Sequence, residues 1–260
     1  MEKVLKSFKS LKEPILCTML QCETEESVIE KIEKANMLGT DAFGLQVENL
    51  NLEYHTPKTY KKLFSCMQGK PCYATCYRFG KNVGKSDLEL AKELLILAKS
   101  GATLVDVMGD LFSKHPEELT DNVKAIEKQI ELIDKLHALG AQVLISSHLY
   151  KFAPPKRVLE IALEQKRRGA DIIKIVTAAN NEEEQEINLE TTKLLKKELN
   201  LPFVFLSNGE CFIHRRRGIE LGASMCLCAL EYDKLATKAQ PLLSEMILVK
   251  NKITNKGENL

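Results

Sequence analysis

The sequence lacks any excess of charge. Its 37 lysines and arginines stand against 36 aspartates and glutamates, a formal net charge of +1. No global attraction to nucleic acid or an anionic membrane follows from that balance. No apolar run approaches the ~20 residues that a membrane span requires. The opening stretch MEKVLKSFKSLKEP has lysines but no continuous apolar core, so no secretory signal is expected and the chain reads as a soluble, cytoplasmic protein. No glycine-rich dinucleotide loop, linker or low-complexity tract interrupts it. Metal chemistry also lacks its signature, because the 8 cysteines form no CxxC knuckle and no His/Asp/Glu ligand set recurs at the strand ends. Cys17, Cys72, Cys76, Cys226 and Cys228 lie inside apolar runs and read as reduced core thiols.

What is present is alternation. Short strand-type runs recur: ILCTML (15–20), AFGLQVE (42–48), KPCYATCYR (70–78), ATLVDVM (102–108), AQVLISSH (141–148), DIIKIV (171–176), LPFVFLS (201–207) and ASMCLCAL (223–230). Their spacing is near the ~30 residues of one βα unit. Between them lie amphipathic stretches. Four of these end in Gly39, Gly101, Gly140 and Gly169, and ETTKLLKKELN ends in Asn200, as helix stops do. RRRGIELG is a shorter piece of the same kind. Eight such units predict a single (β/α)8 barrel over residues 1–260. Residues 1–13 read as an N-terminal extension, and 249–260 as a polar tail expected to fray.

In such a barrel, chemistry belongs at the carboxyl ends of the strands. There DIIKIV holds one lysine among apolar residues. Alternation turns Lys174 inward if Ile173 and Ile175 face the helices. Lysine is almost never fully buried without a partner. The expectation is an amine kept neutral by desolvation, able to form an imine with a ketone or aldehyde; the alternative is a lysine paired with an inward acid. His148 ends the preceding strand, where an imidazole can shuttle protons. His55, His115 and His137 fall in loop or helix segments and read as surface residues.

These residues resemble the type I 3-dehydroquinate dehydratase family from Pro14 to about Gln240. GADIIKIV (169–176) is similar to that family's G-A-D-I-x-K-I-A segment, and SSHLYKFAPP (146–155) to its S-x-H-D-F-x-x-T-P segment. The resemblance implies a (β/α)8 barrel and a Schiff-base lyase of the shikimate pathway, serving aromatic amino acid biosynthesis. It implies no metal or organic cofactor and a homodimer. Lys174 would form the imine, and His148 would be the general acid and base. ATCYRFGKNVG (74–84) places a substrate-contacting arginine at Arg78. HRRRG (214–218) places a carboxylate-binding arginine at Arg215, with Arg216 as the neighbouring candidate. ATKAQP (236–241) makes Gln240 a lid glutamine. The departures are Gln46 for a substrate-contacting arginine, Glu48 for an aspartate, and Asn82 for the glutamate that supports the histidine. Ala236 also replaces a lid serine. His148 is therefore expected to lack a charged partner and to work more slowly. Two other readings remain at this stage: a Schiff-base lyase or aldolase for another oxo-acid, and a non-catalytic barrel that binds a carboxylated metabolite.

Overall fold

In sequence order, eight parallel strands form the wall: β1 (Ile15–Leu20), β2 (Ala42–Gln46), β3 (Cys72–Thr75), β4 (Leu104–Met108), β5 (Gln142–His148), β6 (Ile172–Ala178), β7 (Phe203–Asn208) and β8 (Met225–Cys228). The structure is a computed structural model that describes residues 6–257. Neighbours in sequence are neighbours in the sheet, and β8 returns to pair with β1. β7 and β8 meet at their base, where the Ser224 N–H donates to Phe203 O at 2.9 Å. The molecule is a single-domain (β/α)8 barrel, as the spacing predicted.

The helices are α1 (Glu25–Leu38), α2 (Pro57–Cys66), α3 (Asp87–Ser100), α4 (Val123–Ala138), α5 (Pro155–Arg167), α6 (Glu182–Glu198), α7 (Ile213–Arg217) and α8 (Leu243–Gly257). All four glycines taken as stops have positive φ, from 85° to 116°. Asn200 does not cap α6, because Leu199 already leaves the helix in an extended conformation. The sequence reading passed over α2, although it carries a Thr56 cap, Pro57 in the first turn, and buried Tyr60, Leu63 and Phe64 on one face. Residues 249–257, expected to fray, continue α8; residues 258–260 lie outside the described ones.

Strand alternation divides the apolar interior in two. Leu16, Phe43, Ile173 and Ile175 face the helices. Ile15, Cys17, Leu104, Leu144, Ile172 and Met225 fill the barrel, and Phe8 closes its lower end from the N-terminal segment. That segment is pinned where Ser7 Oγ donates to Gln142 Oε1 at 2.5 Å. Residues 1–5 of the expected extension lie outside the described residues. No helix among the described residues is long and apolar enough to cross a membrane.

Candidate active site

A cavity of about 370 Å³ opens at the carboxyl ends of the strands. Lys174, His148, Arg215, Arg78, Gln46 and Gln240 all line it. Glu48 and Asn82 do not.

Lys174 lies on β6 between inward-facing Ile172 and Val176 and is 4% exposed. Its amine is not alone. Nζ lies 2.9 Å from Tyr73 Oη, 2.5 Å from Tyr77 Oη and 3.3 Å from Asp106 Oδ2. Both phenols also donate to Asp106 Oδ2, and Ser146 Oγ donates to Oδ1 at 2.5 Å. This corrects the expectation of an amine neutralised by desolvation alone. The amine sits 3.3 Å from a buried carboxylate that also accepts from both phenols and Ser146, so it is not desolvated without a partner. Asp106 comes from LVDVM on β4, the second charged residue inside an apolar strand.

His148 ends β5 two residues beyond Ser146, which is in register with Lys174. Glu118 approaches from the loop between β4 and α4. Its carboxylate accepts from His148 Nδ1, and Oε2 accepts the His148 backbone N–H at 2.7 Å. With Nδ1–H held by a carboxylate, the neutral ring keeps its lone pair on Nε2. The edge of the imidazole meets Tyr77, with ring centres 5.3 Å apart. The expected loss of a charged partner is therefore overturned, because Glu118 supplies one from another loop. Asn82 is buried elsewhere, its Nδ2 donating to Tyr77 O at 3.0 Å. An acid at that position would be a buried charge.

The loop bearing Glu118 is fixed from below. Gln129 on α4 donates to Gly109 O at 3.0 Å and Leu111 O at 2.7 Å. Buried Arg168 donates to Gly109 O at 2.9 Å and Thr120 O at 2.6 Å. Gly109 packs so closely on Glu118 O and Ser146 O that a Cβ there would not fit without movement.

Arg215 sits on the short helix α7 after β7. Its Nε donates to Ser207 O at 2.7 Å and its Nη2 to Asn208 Oδ1 at 2.5 Å. These partners are neutral, and no carboxylate pairs with it among the described residues. Burial pushes its pKa down to about 10, so the guanidinium stays charged at neutral pH. Arg216 turns outward toward Glu245 at 3.3 Å. The neighbour His214, absent from the sequence reading, anchors α7. Its ring nitrogens meet Ser207 Oγ at 2.8 Å and Thr192 Oγ1 at 2.7 Å. Burial, then the charge of Arg215, lowers its pKa to about 3, so the ring is neutral.

Arg78 on the opposite wall has carboxylate partners. Nε and Nη2 clasp Asp87 at 2.7 and 3.0 Å, and Nη1 reaches Asp110 at 2.6 Å. Glu48 misses the cavity because β2 ends at Gln46 and a tight turn, Val47–Asn49, swings it behind β3. There it accepts from Thr75 Oγ1 at 2.9 Å and from the Tyr77 N–H at 3.3 Å. Burial raises its pKa to about 7. Gln240 is 6% exposed, and its Oε1 has no hydrogen-bond partner among the described residues. Its loop is tied down by Gln21, which bonds Thr237 through both side-chain atoms at 3.1 and 3.3 Å. His55, taken for a surface residue, is tucked against Leu50 O at 3.1 Å, its side chain 5% exposed. No group of three or more His, Cys, Asp or Glu side chains placed to hold a metal occurs among the described residues.

Barrel and cavity together define a class: a (β/α)8 barrel with an amine-centred chamber at the carboxyl ends of its strands. The sequence pattern of the Type I 3-dehydroquinase family matches residues 16–216. The chain belongs to that family. A 3-dehydroquinate dehydratase of Alkaliphilus oremlandii is 35% identical over 81 residues, a stretch covering 30% of this chain and 32% of that relative. The 3-dehydroquinate dehydratase of Geobacillus kaustophilus superposes with a TM-score of 0.79 at 16% identity, over 94% of this chain and 92% of the other. A type I enzyme from Clostridium difficile, solved with covalently modified comenic acid, gives 0.78 at 19% identity, over 94% and 93%. At these identities the superpositions speak for the fold.

Proposed function

We propose that this protein is a Schiff-base hydro-lyase that dehydrates 3-dehydroquinate to 3-dehydroshikimate, a shikimate-pathway step toward aromatic amino acids. The observation that carries the reading is the convergence of three groups in one cavity: the buried Lys174 amine, the His148–Glu118 pair and the uncompensated Arg215. Arg215 takes the substrate carboxylate, since a planar fork without an internal acid partner matches that anion. Lys174 condenses with the ketone, and the protonated imine acidifies the adjacent carbon. His148 Nε2 removes that proton and returns one to the departing hydroxyl, while Glu118 stabilises the imidazolium between the two steps. Gln240 Oε1 offers a hydrogen-bond acceptor to a substrate hydroxyl, and Gln46 a neutral contact. Arg78 shapes the wall and holds Asp87 and Asp110.

Gln46 in the wall also favours a second reading on the same imine chemistry: another oxo-acid with one fewer anionic contact. Borohydride reduction in the presence of 3-dehydroquinate tests the first. A mass increase on Lys174, with turnover of the same compound, supports it. An adduct without turnover moves the assignment to the second reading, and no adduct leaves a carboxylate-binding barrel. The proposal includes a reducing, cytoplasmic setting, supported by eight free thiols. It also includes a homodimer, for which sedimentation equilibrium would give twice the chain mass.

A further inference from the structure

We propose that Tyr77 is a catalytic proton shuttle between Lys174 and Asp106, arming the amine and then expelling water from the carbinolamine. The inference rests on the Schiff-base reading above. It begins from a difficulty in that reading: an ammonium paired with a carboxylate has no lone pair to attack a carbonyl.

The geometry supplies the route. The direct Lys174–Asp106 separation is 3.3 Å. The path through Tyr77 has two hops, 2.5 Å from Nζ to Oη and 2.5 Å from Oη to Asp106 Oδ2. The shorter hops favour transfer through the phenol. Burial, reinforced by the Asp106 charge, holds the Tyr77 hydroxyl far above its ordinary pKa, so it remains an O–H that passes a proton on rather than losing it. Tyr73 touches the same atoms, but only Tyr77 of the two lines the cavity where a carbonyl oxygen would arrive. Other titratable or charged groups around this cluster are Cys17 on β1, Glu48 after β2, Arg78 after β3, Glu118 before α4, His148 on β5 and Arg215 beyond β7.

The step balances. Lys174 ammonium gives a proton to Tyr77 Oη as the phenol proton passes to Asp106, leaving a neutral amine and a neutral acid. The nitrogen lone pair forms the C–N bond, and the carbonyl π pair moves to oxygen. One proton passes from nitrogen to that oxygen, giving the carbinolamine. Asp106 then returns its proton through Tyr77, the C–O bond breaks, and water leaves. The protonated imine and an ionised Asp106 remain.

Timed borohydride quenching of the whole protein with pyruvate, a small 2-oxo acid, reads this step by mass at Lys174. General acid–base transfer commonly supplies ~10²–10⁴-fold. With Tyr73 retained as a partial substitute, Tyr77→Phe should slow adduct formation by about 10- to 100-fold at pH 7. The deficit should narrow as the pH rises, because hydroxide can then take the amine's proton in place of the phenol. A variant as fast as the parent at pH 7, or slowed equally at every pH, overturns the proposal. Should Tyr77→Phe fail to fold, the parent in D₂O decides. A clear slowing of adduct formation supports the shuttle, and a rate unchanged by D₂O overturns it. If the parent traps pyruvate with this pattern yet leaves 3-dehydroquinate untouched, the dehydratase reading fails and the shuttle stands. If 3-dehydroquinate is dehydrated while Tyr77→Phe traps at the parental rate, the shuttle alone fails. No adduct with either ketone at any pH removes both.

Discussion

Two arginines face one another across the cavity, and their surroundings differ. Arg78, on the β3 side, spends its fork on Asp87 and Asp110. Arg215, on the β7 side, rests on a carbonyl and an amide oxygen. The same side chain is structural where the chain answers its charge, and available where only dipoles hold it. Unanswered charge thus points to the proposed anion subsite more sharply than residue type does.

Removing Arg215 should have the largest effect. Arg215→Ala removes the guanidinium proposed to hold the carboxylate, so kcat/KM for 3-dehydroquinate should fall about 10²- to 10³-fold with little change in melting temperature. Arg78→Ala should reverse that pattern. It strands Asp87 and Asp110 beside each other, costing about 3 kcal/mol of stability by chemical denaturation and only a few-fold in kcat/KM. Equal catalytic losses in the two variants would erase the distinction.

Glu118→Gln sharpens the comparison within the β3–β5 side. It keeps the size of the side chain but removes the charge that stabilises imidazolium, so kcat should drop about 10- to 100-fold with KM nearly unchanged. The smallest effect concerns Glu48. Burial raises its carboxyl from an ordinary value of about 4.3 to about 7. The folded chain therefore binds a proton that the unfolded chain releases. Its stabilising share is complete below about pH 4 and is lost as pH rises through about 7. Between pH 5 and pH 7 that loss amounts to about 2 kcal/mol. Glu48→Gln should flatten that part of a stability–pH curve.

The strands were legible because alternation and regular spacing are properties of the chain itself. Lys174 was legible for the same reason, as a charge where the pattern demands an apolar residue. Asp106 sends the same signal in LVDVM and went unread, although its strand ends at the same rim. Tyr73 and Tyr77 gave no signal, since tyrosine is an ordinary strand residue and only the barrel's closure turns both hydroxyls onto one amine. Glu118 lies in a loop 30 residues before His148. Its φ of 47° and the Arg168 and Gln129 tethers that present it exist only after folding. The helix α2 was within reach, its cap and proline in plain order, but ten residues make a weak periodic pattern.

Phe8 and the apolar layers above it stopper the barrel from beneath, at the end opposite the chamber. On the proposed function, a ketone and the product made from it would occupy one chamber, lined in part by Gln240 and Tyr150. Product that keeps the substrate's carboxylate would then contend with it for the Arg215 guanidinium, and its inhibition should be competitive.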